Sequence, residues 1–320
     1  MLEVLQFNKG FIHPVRWIDY GLSHNFRKVQ AEELQECPDC KWRSFDVVGQ
    51  YIYYSTLVSL RACTRCGLLF SDKRIDSRVI QSHFEQAYKD EVYFLDRRRR
   101  IFDQICTVAD LAAVEGGNVL DVGGAKGHLL ATLKKRRPDL HVVLNDLSQE
   151  ACNYAAQKYG FRTLCGDVNA LQSKAFKFGV IIMSDVIYYE PELYKLWRAL
   201  PDLISKNGVL IIRVPNRYLL IRLWQFVIRA VESRMKSEMQ DHIKFFNSEH
   251  LYVFSRRYLV TRLKELGFTH VTAVPSDLLV RNPGDFWRPL YFYLCKMLSI
   301  LSFGRLIFTP SMLVIAKNDQ

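Results

Sequence analysis

The sequence predicts an α/β protein: a doubly wound, mostly parallel sheet preceded by a small metal-binding ribbon. Three observations predict it. A short apolar strand, Val119 to Val122, runs into a glycine-rich turn and then into a helix from Leu129. Further apolar stretches end in carboxylates at Asp146, Asp167 and Asp185. Ahead of them stand two Cys-x-x-Cys pairs, Cys37/Cys40 and Cys63/Cys66, with 22 residues between the pairs.

Gly123, Gly124 and Gly127 let the backbone turn tightly and approach a ligand. A pyrophosphate-binding turn carries glycine at its first, third and sixth places. Here the third place is Ala125, and Asp121 sits two residues before the first glycine. A carboxylate aimed into the turn repels a pyrophosphate and attracts a cation. The second strand, Val142 to Asp146, ends about 20 residues past the turn, where a doubly wound sheet holds ribose hydroxyls. Phe161 to Asp167, Phe178 to Asp185 and Gly208 to Asn216 read as the third, fourth and fifth strands. Four carboxylates at strand ends suit a ligand lying across the top of a parallel sheet.

These residues resemble the class I S-adenosylmethionine-dependent methyltransferases. Their Asp/Glu-x-Gly-x-Gly-x-Gly motif is reproduced as Asp121, Gly123, Ala125 and Gly127, and the resemblance covers about residues 95 to 275. It implies a Rossmann-like seven-stranded sheet with S-adenosyl-L-methionine as cofactor. The methionine end falls to Asp121 and the glycines, the ribose to Asp146 with Leu147 beside it, and the adenine side to Asp167 with Val168. Asp185, after the fourth strand, is the last residue the resemblance places in contact with the cofactor. Where the family often carries Glu-His this chain has Tyr188-Tyr189, and Gly179 replaces a common aspartate, which weakens the transfer of a catalytic histidine to this loop.

Methyl transfer from a sulfonium is an in-line displacement, so the protein chiefly positions the acceptor and excludes water. An oxygen or carbon acceptor must also lose a proton. His242, in a stretch resembling the family's His-x-x-x-Phe-Phe/Tyr, is the first candidate for general base, against a structural role in the same loop. Tyr188, Tyr189 and Glu190 follow it.

The cysteine spacing fits a zinc ribbon whose four protein ligands leave no open position, so the Zn2+ it predicts is structural. The other cysteines, Cys106, Cys152, Cys165 and Cys295, stand singly in apolar contexts and read as core residues. The second knuckle continues as Cys66-Gly-Leu-Leu-Phe and is followed by Tyr88 and Tyr93. Together these resemble the N-terminal module of bacterial methyltransferases associated with surface polysaccharides and deoxysugars, over about residues 37 to 95. That resemblance implies a small-molecule or glycan acceptor, a sugar or surface-glycan precursor, lipid-linked ones included. Tyr88 or Tyr93 either closes over the cofactor or acceptor or packs the junction.

The expected organisation is an N-terminal arm at 1–36, the ribbon and a linking helix at 37–95, the cofactor-binding domain at 96–275 with an insertion at 217–250, and an apolar helix with a closing strand at 276–320. Within the insertion Arg222, Arg229 and Lys236 recur every seven residues and share one face with Gln225 and Glu232, while Leu219, Leu220, Leu223, Trp224, Phe226, Val227 and Ile228 cover the rest. It reads as a lid above the carboxyl edge. Ser255 and Gly267 bound the last helix as N-cap and stop. The tail at 286–303 is apolar but too short to span a bilayer, so it is either a packed helix or an interfacial one.

A formal net charge of +11 calls for an anionic partner. Nucleic acid is the less favoured one, because the basic residues are spread through helices rather than gathered in the ribbon. The competing readings are a zinc-ribbon RNA methyltransferase and a non-enzymatic S-adenosylmethionine-binding protein. The first residues lack the basic start and apolar run of a signal peptide. The expected location is cytoplasmic, with peripheral contact at the inner face of the membrane through 217–236 and 286–303.

Overall fold

The computed structural model describes residues 31–53, 56–75, 78, 81–82, 84–85, 88, 95–167, 171, 177–230, 250–276, 287–304 and 306–319. Val168, Tyr93 and His242 lie outside the described residues, as does most of the arm.

The main sheet grows from the apolar stretches named above. Strands β6 (Asn118–Val122), β7 (His141–Asp146), β8 (Arg162–Cys165), β9 (Phe178–Ser184) and β10 (Ile204–Pro215) join β12 (His270–Pro275) and β13 (Ser311–Lys317) in the order β12-β13-β10-β9-β6-β7-β8. Neighbours from β8 to β10 run parallel, whereas β13 is antiparallel to both β10 and β12. The closing strand is therefore inserted between two others. Burial on both faces explains the continuous apolar runs of β6, β7 and β9.

Helices α1 (Leu95–Ala112), α2 (His128–Arg136), α3 (Gln149–Tyr159), α4 (Leu193–Leu203) and α6 (Arg256–Glu265) connect or flank the strands. Their ends obey local rules. The Ser148 hydroxyl accepts from the Ala151 N–H at 3.1 Å, and α3 stops at Gly160 with φ 68°. Ser255 caps α6 through the Tyr258 N–H at 3.0 Å, and Gly267 follows with φ 95°.

The ribbon is built from β2 (Phe45–Tyr53), β3 (Thr56–Cys63) and β4 (Leu69–Ser71), preceded by β1 (Ala31–Glu33) and followed by β5 (Lys73–Ile75), which pair with each other. Its sheet has a fourth strand, β11 (Tyr252–Val253), supplied from beyond the main sheet's fifth strand and pairing with β4. Leu60, Leu68 and Phe70 of the ribbon belong to one buried cluster with Ile181, Trp197 and Tyr258. A polar lock reinforces this joint. Asp39, between the first two cysteines, accepts from the Tyr258 hydroxyl at 2.8 Å and pairs with Arg262 at 2.7 Å, and Trp197 Nε1 donates to the same Tyr258 oxygen at 3.1 Å.

Two further helices follow the fifth strand and precede the last, α5 (Tyr218–Ala230) and α7 (Trp287–Leu301). The packing of α5 gives this amphipathic segment a direction. Its inward face is Ile221 and Gln225, with Tyr218 and Trp224 packed on the core and Arg222 bonded to Gln225 at 2.9 Å, while Leu219, Leu223 and Phe226 are exposed. No helix among the described residues is long and apolar enough to cross a membrane.

Candidate active site

The parallel strands bring the glycine turn and the acidic residues to one edge. Gly123 and Gly127 adopt φ of 67° and 78°, and a methyl group on Gly123 would lie 2.4 Å from Val186 Cγ2. Ala125, at the place of the motif's middle glycine, takes φ 50° as well. The turn is held by Asp146, which accepts from the Ala125 N–H at 2.8 Å through one carboxylate oxygen and from the Ser148 N–H at 2.9 Å through the other. Gly124 leaves room for the Asp121 carboxyl, whose Oδ2 would meet a Cβ there at 2.9 Å. Beside Asp146, Asn145 donates to the carbonyls of Leu164 and Gly166 and fixes the end of β8.

Burial decides the electrostatics of this turn. Desolvation, with the nearby Asp146, pushes the Asp121 carboxyl up to about 8. Asp146 is raised to about 6 by burial, although the Ser148 and Ala125 amides favour its ionised form. Both are buried acids on which a cation would act strongly.

Asp121, Gly123, Gly124, Gly127, Asp146 and Leu147 are thus gathered at one place. Asp167 is exposed at the end of β8 and, after desolvation, helps raise Glu190. Asp185 is occupied differently from the cofactor contact expected for it. Its carboxylate is taken by Arg213, itself bonded to Ser276 at 2.8 Å, and Arg98 lies 3.5 Å away. It braces the end of β9 with φ 59°.

The loop after β9 forms an aromatic wall. Tyr188 stacks on His250 at 3.9 Å between ring centroids, and Tyr189 meets His250 edge-on at 5.6 Å. Burial drives the Tyr188 phenol well above its ordinary value and the His250 imidazole well below. Tyr188 is thus buried within this wall, against His250. Glu190, next to them and partly buried, has its carboxyl raised by that burial.

Residues outside the motif complete the edge. Gln81 donates to the Leu147 carbonyl at 3.2 Å, and Glu85 accepts from the Gln149 and Glu150 N–H groups at 2.7 and 3.3 Å, at the N-terminus of α3. Phe84 packs against Tyr88 and Tyr189 at 6.0 and 5.3 Å. Lys126, buried in the turn, lies 4.8 Å over the Tyr154 ring. Sequence reading missed Gln81, Glu85 and His250; the only local signal was the nearness of the first two to Tyr88. A cavity of about 450 Å³ lies at the opposite edge, lined by Asn118, His141, Arg162 and Phe178, far from these acids.

In the ribbon the four sulfurs of Cys37, Cys40, Cys63 and Cys66 lie within 4.8 Å of one another. The Cys37–Cys66 and Cys40–Cys63 separations are 3.7 and 3.5 Å. Four thiolates about 2.3 Å from a tetrahedral ion stand about 3.8 Å apart, whereas a disulfide needs about 2 Å. After the Cys66 thiol, the Cys40 and Asp39 amides act to lower the Cys37 thiol. The site fits a closed tetrahedral metal.

Residues 93–273 match the family described as "Methyltransferase domain". A curated relative, malonyl-[acyl-carrier protein] O-methyltransferase of Acetivibrio thermocellus, is 22% identical over 139 residues, 42% of this chain. The matched stretch spans about half (49%) of that relative's length. Among solved structures, a plantazolicin methyltransferase with S-adenosylhomocysteine has a TM-score of 0.45 at 15% identity, covering 74% of this chain and 90% of that one. An S-adenosylmethionine-dependent methyltransferase of Archaeoglobus fulgidus has 0.44 at 17%, covering 71% and 100%. The family match takes in the glycine turn, both buried acids and the wall after β9, and the chain belongs to the methyltransferase-domain family, whose methyl donor is S-adenosylmethionine.

Proposed function

We propose that the protein transfers a methyl group from S-adenosylmethionine to a sugar or surface-glycan precursor, and that Zn2+ occupies the four-cysteine site as a structural ion. The observation that carries the first part is the carboxyl-edge constellation of a left-handed glycine turn between the buried acids Asp121 and Asp146. Asp121 would face the cationic methionine end, Asp146 and Leu147 the ribose, and Asp167 with its neighbour Val168 the adenine side. Bound cofactor supplies an electrophilic methyl carbon. The chain's own task is to exclude water and align the acceptor.

A glycan acceptor is supported by the ribbon's resemblance to sugar-modifying relatives and by the aromatic rim of Phe84, Tyr88 and Tyr189, whose rings suit the apolar faces of a sugar. Glu190 takes the acceptor proton if oxygen is methylated. Tyr189 orients the acceptor, and His242 is the alternative base. Fully ligated zinc has no open position and takes no part in the reaction.

The test is transfer of radiolabelled methyl from S-adenosylmethionine into host extract, followed by fractionation. Label in lipid, glycan or sugar-nucleotide fractions is expected. Label lost on ribonuclease treatment would replace this acceptor with RNA, and measurable cofactor binding without any label would leave a non-enzymatic binding protein.

A further inference from the structure

Two helices of this chain bury an apolar stripe yet leave further apolar residues uncovered. On α5 the polar Gln225 is buried and Arg222 half-buried, while Leu219, Leu223 and Phe226 are 43%, 53% and 72% exposed. On α7 the buried stripe is Phe292, Cys295 and Ser299, and the apolar remainder faces outward, with Ile300 67% exposed and the following Phe303 93%. An ordinary surface helix turns polar residues to that outer side. Exposed apolar area of this extent marks a binding surface.

Both helices stand at the edge that carries the candidate active site. β10 ends at Pro215 on that edge, and α5 begins three residues later. Asn216 donates through its side chain to the carbonyls of Ile307 and Thr309 at 2.6 and 3.1 Å, and the Tyr291 hydroxyl of α7 donates to Phe308 at 3.1 Å. The segment 307–309 thus ties the start of α5 to α7. Charge then selects the partner. Residues 217–230 and 287–304 contain no Asp or Glu but five Arg or Lys, of which Lys296 is exposed on α7 while Arg222 is turned inward to Gln225.

We infer that α5 and α7 seat the protein on the anionic leaflet of a lipid bilayer, apolar faces in the boundary between headgroups and acyl chains, and that the acceptor reaches the active-site edge from that lipid. At 15 residues α7 is about 22 Å long, short of the roughly 30 Å needed to span the hydrocarbon, so it lies in the interface. A second copy fits less well, because a two-fold interface would set the same cations against themselves. Delivery of the acceptor from lipid rests on the methyltransferase reading above; seating on the bilayer does not.

The test is flotation of the metal-loaded full-length chain with vesicles of phosphatidylcholine, alone or mixed with phosphatidylglycerol at about three to one. We expect flotation with the anionic vesicles, weakened by salt. The double variant Leu294→Gln/Ile300→Gln, at exposed positions, should lower this partition at least about tenfold while S-adenosylmethionine affinity is unchanged. Retained cofactor binding separates a failure of docking from a failure of the site. Absence of flotation with either vesicle, equal binding to both, an unaffected variant, or a dimer in sedimentation that the variant splits would each overturn the proposal.

Discussion

A methyl group at Gly123 would collide with Val186 in a backbone conformation that L residues avoid, whereas one at Gly160, also left-handed, meets nothing within 4 Å. Gly123→Ala should therefore cost about 3 kcal/mol and Gly160→Ala about 1 kcal/mol, read from urea unfolding midpoints. The buried acids give a pH signature. Asp121 and Asp146 bind protons more tightly when folded, at about 8 and 6 against an ordinary 3.8. Their stabilisation is fully present below about pH 4 and is lost as pH rises through 6 and 8. Scanning fluorimetry of the cofactor-free protein should show this component of stability falling from about pH 5 to 8.5. Cationic S-adenosylmethionine favours the ionised forms, so its protection should grow over the same window; protection independent of pH would remove Asp121 from the site. The residue-scale legibility of the sequence was uneven. Asp121 and the glycines were readable because strand, turn and helix lie within one short segment. Asp185 was legible as an acid at a strand end, but its pairing was not, because Arg213, which takes its carboxylate, lies 28 residues away and no local pattern announces it.

At the scale of elements, the sequence showed that α5 is amphipathic and left its direction open. Helical periodicity fixes which residues share a face, but only packing decides which face is buried, and here Gln225 is inward and Phe226 outward. The ribbon was readable from cysteine spacing alone, since two Cys-x-x-Cys pairs at this separation bring four sulfurs to one place. Its attachment was not, because Asp39, Tyr258 and Arg262 meet across more than 200 residues of chain. Asp39→Ala should destabilise the protein by about 2 kcal/mol in urea, because the buried Tyr258 hydroxyl loses its acceptor and Arg262 keeps only the exposed Glu265. Metal analysis should find one zinc per chain. Its removal by a chelator should lower S-adenosylmethionine affinity as well as stability, because Gln81 and Glu85, just beyond the ribbon, bond the loop after β7 and the start of α3.

For the whole molecule, ribbon and main sheet share a buried cluster and β11 completes the ribbon's sheet, so the two are expected to unfold together. The seven-stranded sheet was legible because its parallel strands are buried on both faces and read as apolar runs. The outer wall of the carboxyl edge was not, being assembled from Gln81, Glu85, Tyr189 and His250, which come from three separate stretches of chain. The most direct measurement is calorimetric titration of the metal-loaded protein with S-adenosylmethionine, for wild type and for Asp146→Ala. Saturable binding, weakened by about one to two orders of magnitude in the variant while its circular dichroism is unchanged, is the predicted result. Equal affinity in the two proteins, or no binding to wild type, would contradict a cofactor site at the carboxyl edge.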